Sequence, residues 1–170
     1  MGSFILEILS HVNDKQTKPA HAAPQLADFP HKTIDIIRLG DHDHQNHVNN
    51  AVFVTYLETG RVTFMREVFG GLRFGDKHFV VARVEVNYLR ELHWPGTVDV
   101  CTGVARIGSS SVTYAQAVFH DGVCAASGQS TMVFIDQATR RATPMPQDVV
   151  ERLRTMTMKD DRPHDRAKQA

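Results

Sequence analysis

Cysteine is scarce in this sequence: Cys101 and Cys124 are the only two in 170 residues. Two thiols cannot build the disulfide framework of a small secreted domain, and they lack the paired spacing of a thiolate zinc site. Charge of one sign is also lacking. Nineteen Lys plus Arg stand against nineteen Asp plus Glu, a formal net charge of +0. With no basic stripe, no nucleic-acid partner is expected. No apolar run approaches the roughly 20 residues needed to span a bilayer, so no membrane partner is expected either. The start, Met1 to Ser10, carries an apolar patch, but Glu7 interrupts it and no basic residue leads it, unlike a secretory signal. Leu6 stands where an N-myristoylation motif beginning at Gly2 wants Ser or Thr. The expectation from these absences is a cytoplasmic protein.

What the sequence does have is 42% apolar residues, enough for one domain with one core that folds without disulfide or metal. Residues 1–30 read as leader and linker. Phe4, Ile5, Ile8 and Leu9 could make a short docking turn, and the stretch to Pro30 is rich in Pro, Ala and polar residues. The folded domain is expected over 31–156, with 157–170 a flexible tail.

Periodicity changes along the domain in an informative order. Thr33 to Leu39 is a β-branched run that reads as a strand. Gly40 to Asn50 is a loop, apolar only at Val48. Phe53, Tyr56, Leu57, Gly60, Phe64 and Val68 then recur at three- and four-residue steps, which predicts a helix with one buried face. Asn49 or Asn50 would cap its start and Gly70-Gly71 would stop it. The period then switches to two. Strands are predicted over 79–91, Thr97 to Ile107, Ser111 to His120 and Val123 to Asp136, with a last helix from Pro146 to about Met156. Tight turns between the four late strands force antiparallel pairing. One helix cannot cover both faces of a five-stranded sheet, so the sheet must curl around it, giving an α+β domain that is expected to dimerise.

Chemistry concentrates in the loop. It is followed by a long helix, whose first backbone N–H groups and positive dipole end favour developing negative charge. A carbonyl placed there could be polarised while Asp43, or a water it activates, attacks the carbon. That layout suits hydrolysis of an activated acyl group. Of ten histidines, His42, His44 and His47 fall within six residues. His42 and His44 alternate with Asp41 and Asp43, a pattern suggestive of metal, but a ligand set needs further donors and His78, His93 and His120 are scattered. No metal site is expected.

Asp41-x-Asp43-x-x-x-His47-Val-Asn49-Asn50, followed by Tyr56-Leu-Glu58-x-x-Arg61, resembles the hot-dog-fold acyl thioesterases. The likeness is to the 4-hydroxybenzoyl-CoA thioesterase-like group and, in His-Val-Asn-Asn, to the acyl-ACP thioesterases. Pro95-Gly96-Thr-Val-Asp-Val, Ile107-Gly-Ser-Ser-Ser111, Ala125-Ala-Ser-Gly128 and Pro144-Met-Pro146 follow in the same order, so the resemblance spans about 32–155. Two positions depart from it. Many acyl-CoA members carry Gly where Asn46 stands, and acyl-ACP members carry Asn where Gln45 stands.

The resemblance implies a hot-dog fold, with an antiparallel five-stranded sheet wrapped around a long central helix. It implies a homodimer or dimer of dimers with the thioester held between subunits. It also implies hydrolysis of acyl-CoA, or of acyl-ACP, without metal or redox cofactor, coenzyme A entering only as part of the substrate. By position, Asp43 matches the loop nucleophile or general base, His47 a histidine that some members use, Asn50 the place where the carbonyl is polarised, and Glu58 an acidic helix position. Asn46, Asn49, Val81, Ala82, Arg83 and Ser110 are the expected substrate contacts. Each role has a plainer rival: Asp43 could satisfy the helix start, His47 could brace the loop, and Glu58 with Arg61 could form an exposed pair. The whole domain could also bind an acyl thioester or small ligand without turning it over.

Overall fold

A computed structural model describes residues 23–158. In chain order it contains β1 (His31–Ile37), α1 (Asn50–Phe69), β2 (Arg73–Phe74), β3 (Lys77–Tyr88), β4 (Gly96–Ile107), β5 (Ser111–His120), β6 (Val123–Asp136) and α2 (Gln147–Arg154), with 3-10 turns at Leu26–Asp28 and Leu39–Asp41. The strands form one antiparallel sheet in the order β1-β4-β5-β6-β3-β2. It has six strands rather than the expected five. The extra one is β2, a two-residue strand that Gly75, at φ 67, folds back onto Lys77 and His78. This pairing also starts β3 two residues earlier than the alternation suggests. β3 stops at Tyr88 because the Leu89 and Arg90 amides both turn to the Ala125 carbonyl, at 2.8 and 3.0 Å.

The central helix begins and ends where its caps require. The Asn49 side chain accepts from the Ala51 amide at 2.9 Å, and Gly70 closes the last turn at φ 75, its amide bonded to the Arg66 carbonyl. Phe53, Tyr56, Leu57, Gly60 and Phe64 bury the stripe that the periodicity marks. Gly60 is needed for close approach: a Cβ there would lie 2.6 Å from Val100 Cγ1 and 3.1 Å from Thr102 Oγ1. Beside it sits a buried polar knot. Gln116 donates from Nε2 to the Leu57 carbonyl at 2.8 Å and to Thr102 Oγ1 at 3.2 Å, while Ser130 Oγ donates to Gln116 Oε1 at 2.6 Å. The knot ties α1 to the middle of the sheet with each of these polar side chains partnered.

The outer face of the sheet carries its own apolar cluster of Phe29, Cys101, Ala117, Phe119 and Cys124, against which Leu26 and Met158 pack. The Met158 amide bonds the Val104 carbonyl and the Val104 amide the Met156 carbonyl. The packed body therefore takes in Leu26–Phe29 and Met158, on both sides of the 31–156 span. The earlier leader, with Phe4, Ile5, Ile8 and Leu9, and the tail from 159 onward lie outside the described residues.

The two sheet edges differ. On β1, Ile36 donates its amide to Asp35 Oδ1 at 2.8 Å, and its carbonyl accepts from Arg38 Nη1 at 3.3 Å, so local side chains cover that edge at Ile36. On β3, β2 covers only Lys77 and His78, and residues 79–88 have no strand partner on the side away from β6 among the described residues. The β3–β6 register shifts between Val81 and Arg83, leaving Ala82 as the bulged residue. No helix among the described residues is long and apolar enough to cross a membrane.

Candidate active site

Residues 43–47 form a miniature hairpin. The Asp43 amide donates to the His47 carbonyl at 3.1 Å, the Asn46 amide donates to the Asp43 carbonyl at 3.1 Å, and His42 bridges Val48. Asn46 turns the chain at φ 63. Asn tolerates this left-handed conformation better than most residues, so the turn closes here without glycine. The carboxylate of Asp43 is held by one oxygen only. Its Oδ1 accepts from the Gln45 amide at 2.8 Å, whereas Oδ2 has no hydrogen bond among the described residues and lies 3.7 Å from His47 Nδ1. Both side chains are 18% exposed, so solvent and a substrate can reach them.

His47 spends its ring inside the loop. Nε2 meets Gln45 Oε1 at 2.8 Å and Nδ1 lies 3.4 Å from the Val48 carbonyl. With both nitrogens so placed, His47 braces the hairpin beside Asp43. Asn49 caps the helix, and Asn50 opens it with an exposed side chain. The cap narrows the supply of free amides. Ala51 is bonded to Asn49 Oδ1 and Val52 to the Asn49 carbonyl, leaving the Asn50 N–H without a partner among the described residues. Tyr88, at the end of β3, donates its hydroxyl to the Asn50 carbonyl at 3.0 Å.

Other expected residues lie apart from this group within one chain. Glu58 is eight residues along α1 from Asn50, about 12 Å at 1.5 Å per residue. Its expected exposed pair with Arg61 is half exposed only: Arg61 is buried, with Nη2 3.5 Å from Glu58 Oε1. Burial lowers the Arg61 pKa, and Glu58 opposes the shift. Val81, Ala82 and Arg83 are exposed near the middle of β3, about 17–23 Å along the strand from Tyr88. Ser110 sits in the β4–β5 turn, a strand length of about 36 Å from the loop end of β4. Its carbonyl accepts from the Phe134 amide at 2.8 Å. A groove of about 600 Å³ lies elsewhere again, on the outer face beside Leu26, Leu89, Phe119 and Cys124.

Several residues that hold the loop carried no assigned role in the sequence. Trp94 donates its amide to His42 Nε2 at 2.8 Å, Leu92 accepts from the Val48 amide at 2.8 Å, and His93 Nδ1 meets the Asn46 carbonyl at 3.0 Å. His42 is thus a loop anchor whose Nε2 lone pair is already engaged. Among the described residues, no group of three or more His, Cys, Asp or Glu is placed to hold a metal ion. Asp41 and Tyr56 also meet here, at 2.8 Å. A buried tyrosine hydroxyl usually finds a partner, and that tendency was the available signal.

The fold, a long helix held in a curled antiparallel sheet, recurs in known proteins. The PA5185 protein of Pseudomonas aeruginosa PAO1 is 26% identical, with 79% of this chain and 96% of that one covered at a TM-score of 0.73. A predicted thioesterase from Bacillus stearothermophilus is 29% identical, over 76% of this chain and 97% of its own, at a TM-score of 0.70. A thioesterase from Thermus thermophilus, crystallised with coenzyme A and Zn, is 32% identical, over 77% and 96%, at a TM-score of 0.68. No curated protein matches the chain. The model of the thioesterase-like superfamily matches residues 37–153. The fold is the hot-dog fold, and the chain belongs to the thioesterase-like superfamily.

Proposed function

We propose that the protein hydrolyses acyl-CoA thioesters to free acid and thiol, with acyl-ACP as the alternative carrier. The observation that carries this reading is the Asp43 carboxylate, anchored by Oδ1 and free at Oδ2, in the loop that opens onto the unpartnered Asn50 amide. Oδ2 takes a proton from water as the water oxygen bonds to the thioester carbon. The carbonyl oxygen becomes an oxyanion and accepts from the Asn50 N–H. Collapse breaks the C–S bond, and the departing thiolate takes up the proton. Direct attack by Oδ2 is the other route open to the same carboxylate: it breaks the C–S bond, expels the thiolate and forms an acyl-aspartyl anhydride, which water then cleaves to the free acid and the Asp43 carboxylate. His47 orients Asp43 in either case. No metal or redox cofactor enters these steps. The Thermus relative that binds coenzyme A supports CoA as the carrier.

The working unit in this reading is a homodimer, or a dimer of dimers. The open edge of β3 favours pairing of two copies along residues 79–88, because an exposed, unpaired edge of that length otherwise invites aggregation, whereas the edge of β1 is interrupted by side-chain bonds at Ile36. Val81, Ala82 and Arg83 lie on that edge, and Glu58 is exposed on α1. A second copy would supply them to a site that one chain leaves incomplete.

The experiment is release of free thiol from a panel of short, long and aromatic acyl-CoAs, before and after exhaustive chelation. Turnover of at least one, unaffected by chelation, is expected. Tight binding with no thiol release would make the protein a thioester-binding domain instead.

A further inference from the structure

The Asp43 hairpin is closed by its own hydrogen bonds, but its position over the helix depends on what ties it down. Three bonds run to the connection between β3 and β4, through Val48, His42 and Asn46. On the helix side one side chain reaches back: Tyr56, fully buried on the second turn of α1, donates its hydroxyl to Asp41 Oδ2 at 2.8 Å. Asp41 is a junction. Its Oδ2 also accepts from the Arg38 amide at 2.8 Å, and its backbone carbonyl accepts from the Asn49 amide at 2.9 Å. It therefore joins the end of β1, the helix cap and the helix interior, two residues before Asp43. One turn further along α1, Thr59 Oγ1 donates to Asp35 Oδ2 at 3.0 Å and fixes β1 to the same side of the helix.

We propose that Tyr56 and Asp41 form a positioning pair that sets Asp43 against the helix start, so that the hydroxyl deep in the core governs turnover without touching substrate. A phenol donating to a carboxylate is a charge-assisted bond, among the stronger kinds available to fix a loop. The requirement for fixing is severe. A displacement of about 1 Å at a reacting group can cost about 10²-fold in rate. Tyr56→Phe removes one oxygen atom, keeps the ring packed against Phe53, and frees Asp41 Oδ2 from the helix while the Arg38 amide still holds it.

The inference rests on the thioesterase reading for its kinetic part, and its structural part is measured separately. Tyr56→Phe, Asp41→Asn and the double variant are compared with wild type by hydrogen exchange of the 39–49 amides and by steady-state kinetics on the best acyl-CoA. Faster exchange in 39–49 is expected, with the 57–69 amides of α1 unchanged. kcat is expected to fall at least tenfold with KM within twofold, and the double variant to lose no more than the worse single. The KM-against-kcat split separates misplacement of Asp43 from a general loss of fold. Unchanged loop exchange in Tyr56→Phe overturns the pairing whatever the activity. Faster loop exchange with unchanged kcat overturns its role in turnover. If wild type cleaves no thioester yet the loop loosens as expected, the proposed reaction fails while the anchoring of the loop stands.

Discussion

Replacing Gln116 by Leu would expose how the central helix is held on the sheet. The amide of Gln116 satisfies Ser130 Oγ at 2.6 Å and Thr102 Oγ1 at 3.2 Å and adds a bond to the Leu57 carbonyl at 2.8 Å. All three polar side chains are essentially inaccessible to water. Leu57 keeps its intrahelical bond, so the loss falls on the two hydroxyls. A buried hydroxyl left unpaired costs about 1–3 kcal/mol. The better-bonded Ser130 should bear more of this than Thr102, giving a net loss of about 2–4 kcal/mol once the apolar gain of Leu is set against the two penalties. At about 2–4 °C per kcal/mol for a chain of this size, Tm should fall by about 4–16 °C. Adding Ser130→Ala and Thr102→Val removes the stranded groups along with their partner. The triple variant should then lie within about 1.5 kcal/mol of wild type. Urea midpoints at one fixed protein concentration, alongside thermal melts, measure both, since association of chains would otherwise shift the result. A single variant as stable as wild type, or a triple variant no better than the single, would contradict this role for Gln116.

Three further outcomes are expected. Gly60→Ala gains about 1 kcal/mol of helix propensity but presses a Cβ to 2.6 Å from Val100, an overpacking cost of about 1–3 kcal/mol, so a lower Tm is expected and a higher one would contradict it. Asn49→Ala removes the acceptor of the Ala51 amide and should lower stability by about 0.5–2 kcal/mol in urea titration, whereas Asn49→Asp should keep the cap and most of the stability. Burial pushes the Cys101 thiol up to about 12 and the Cys124 thiol up to about 11. Neither should react with a maleimide at neutral pH until urea unfolds the chain; rapid labelling of the native protein would contradict that packing.

The elements with a sustained period were legible in the sequence, and the isolated contacts were not. Five strands and the central helix follow from β-branched runs and apolar spacing, the last helix from Pro146 at its start, and the caps at Asn49 and Gly70 from residue type. β2 escaped because two residues carry no period. The packing of Phe29 and Met158 on the outer face escaped because a single apolar residue beside a polar stretch gives no pattern. In the site, Asp43 and His47 were marked by the loop's composition and by resemblance, and the structure brings them together. The grip on His42 comes from Trp94, 52 residues away, and no local rule announces such a contact. Tyr56 fell on the helical stripe and so read as core, which it is, while its hydroxyl serves the loop. Arg61 read as an exposed partner of Glu58 because spacing on a helix does not say which side the sheet covers. Ser110 read as a contact because its motif follows in order along the chain, yet β4 carries that turn to the far end of the sheet.

The proposed hydrolysis of thioesters runs through Asp43. Its most direct test is kcat/KM for the best acyl-CoA in wild type and in Asp43→Asn, which keeps the shape and the Oδ1 bond to Gln45 while removing the charge. Loss of an acid–base group of this kind predicts a fall of about 10²–10⁴-fold with Tm little changed. A folded Asp43→Asn variant that hydrolyses the same substrate at the wild-type rate would contradict it.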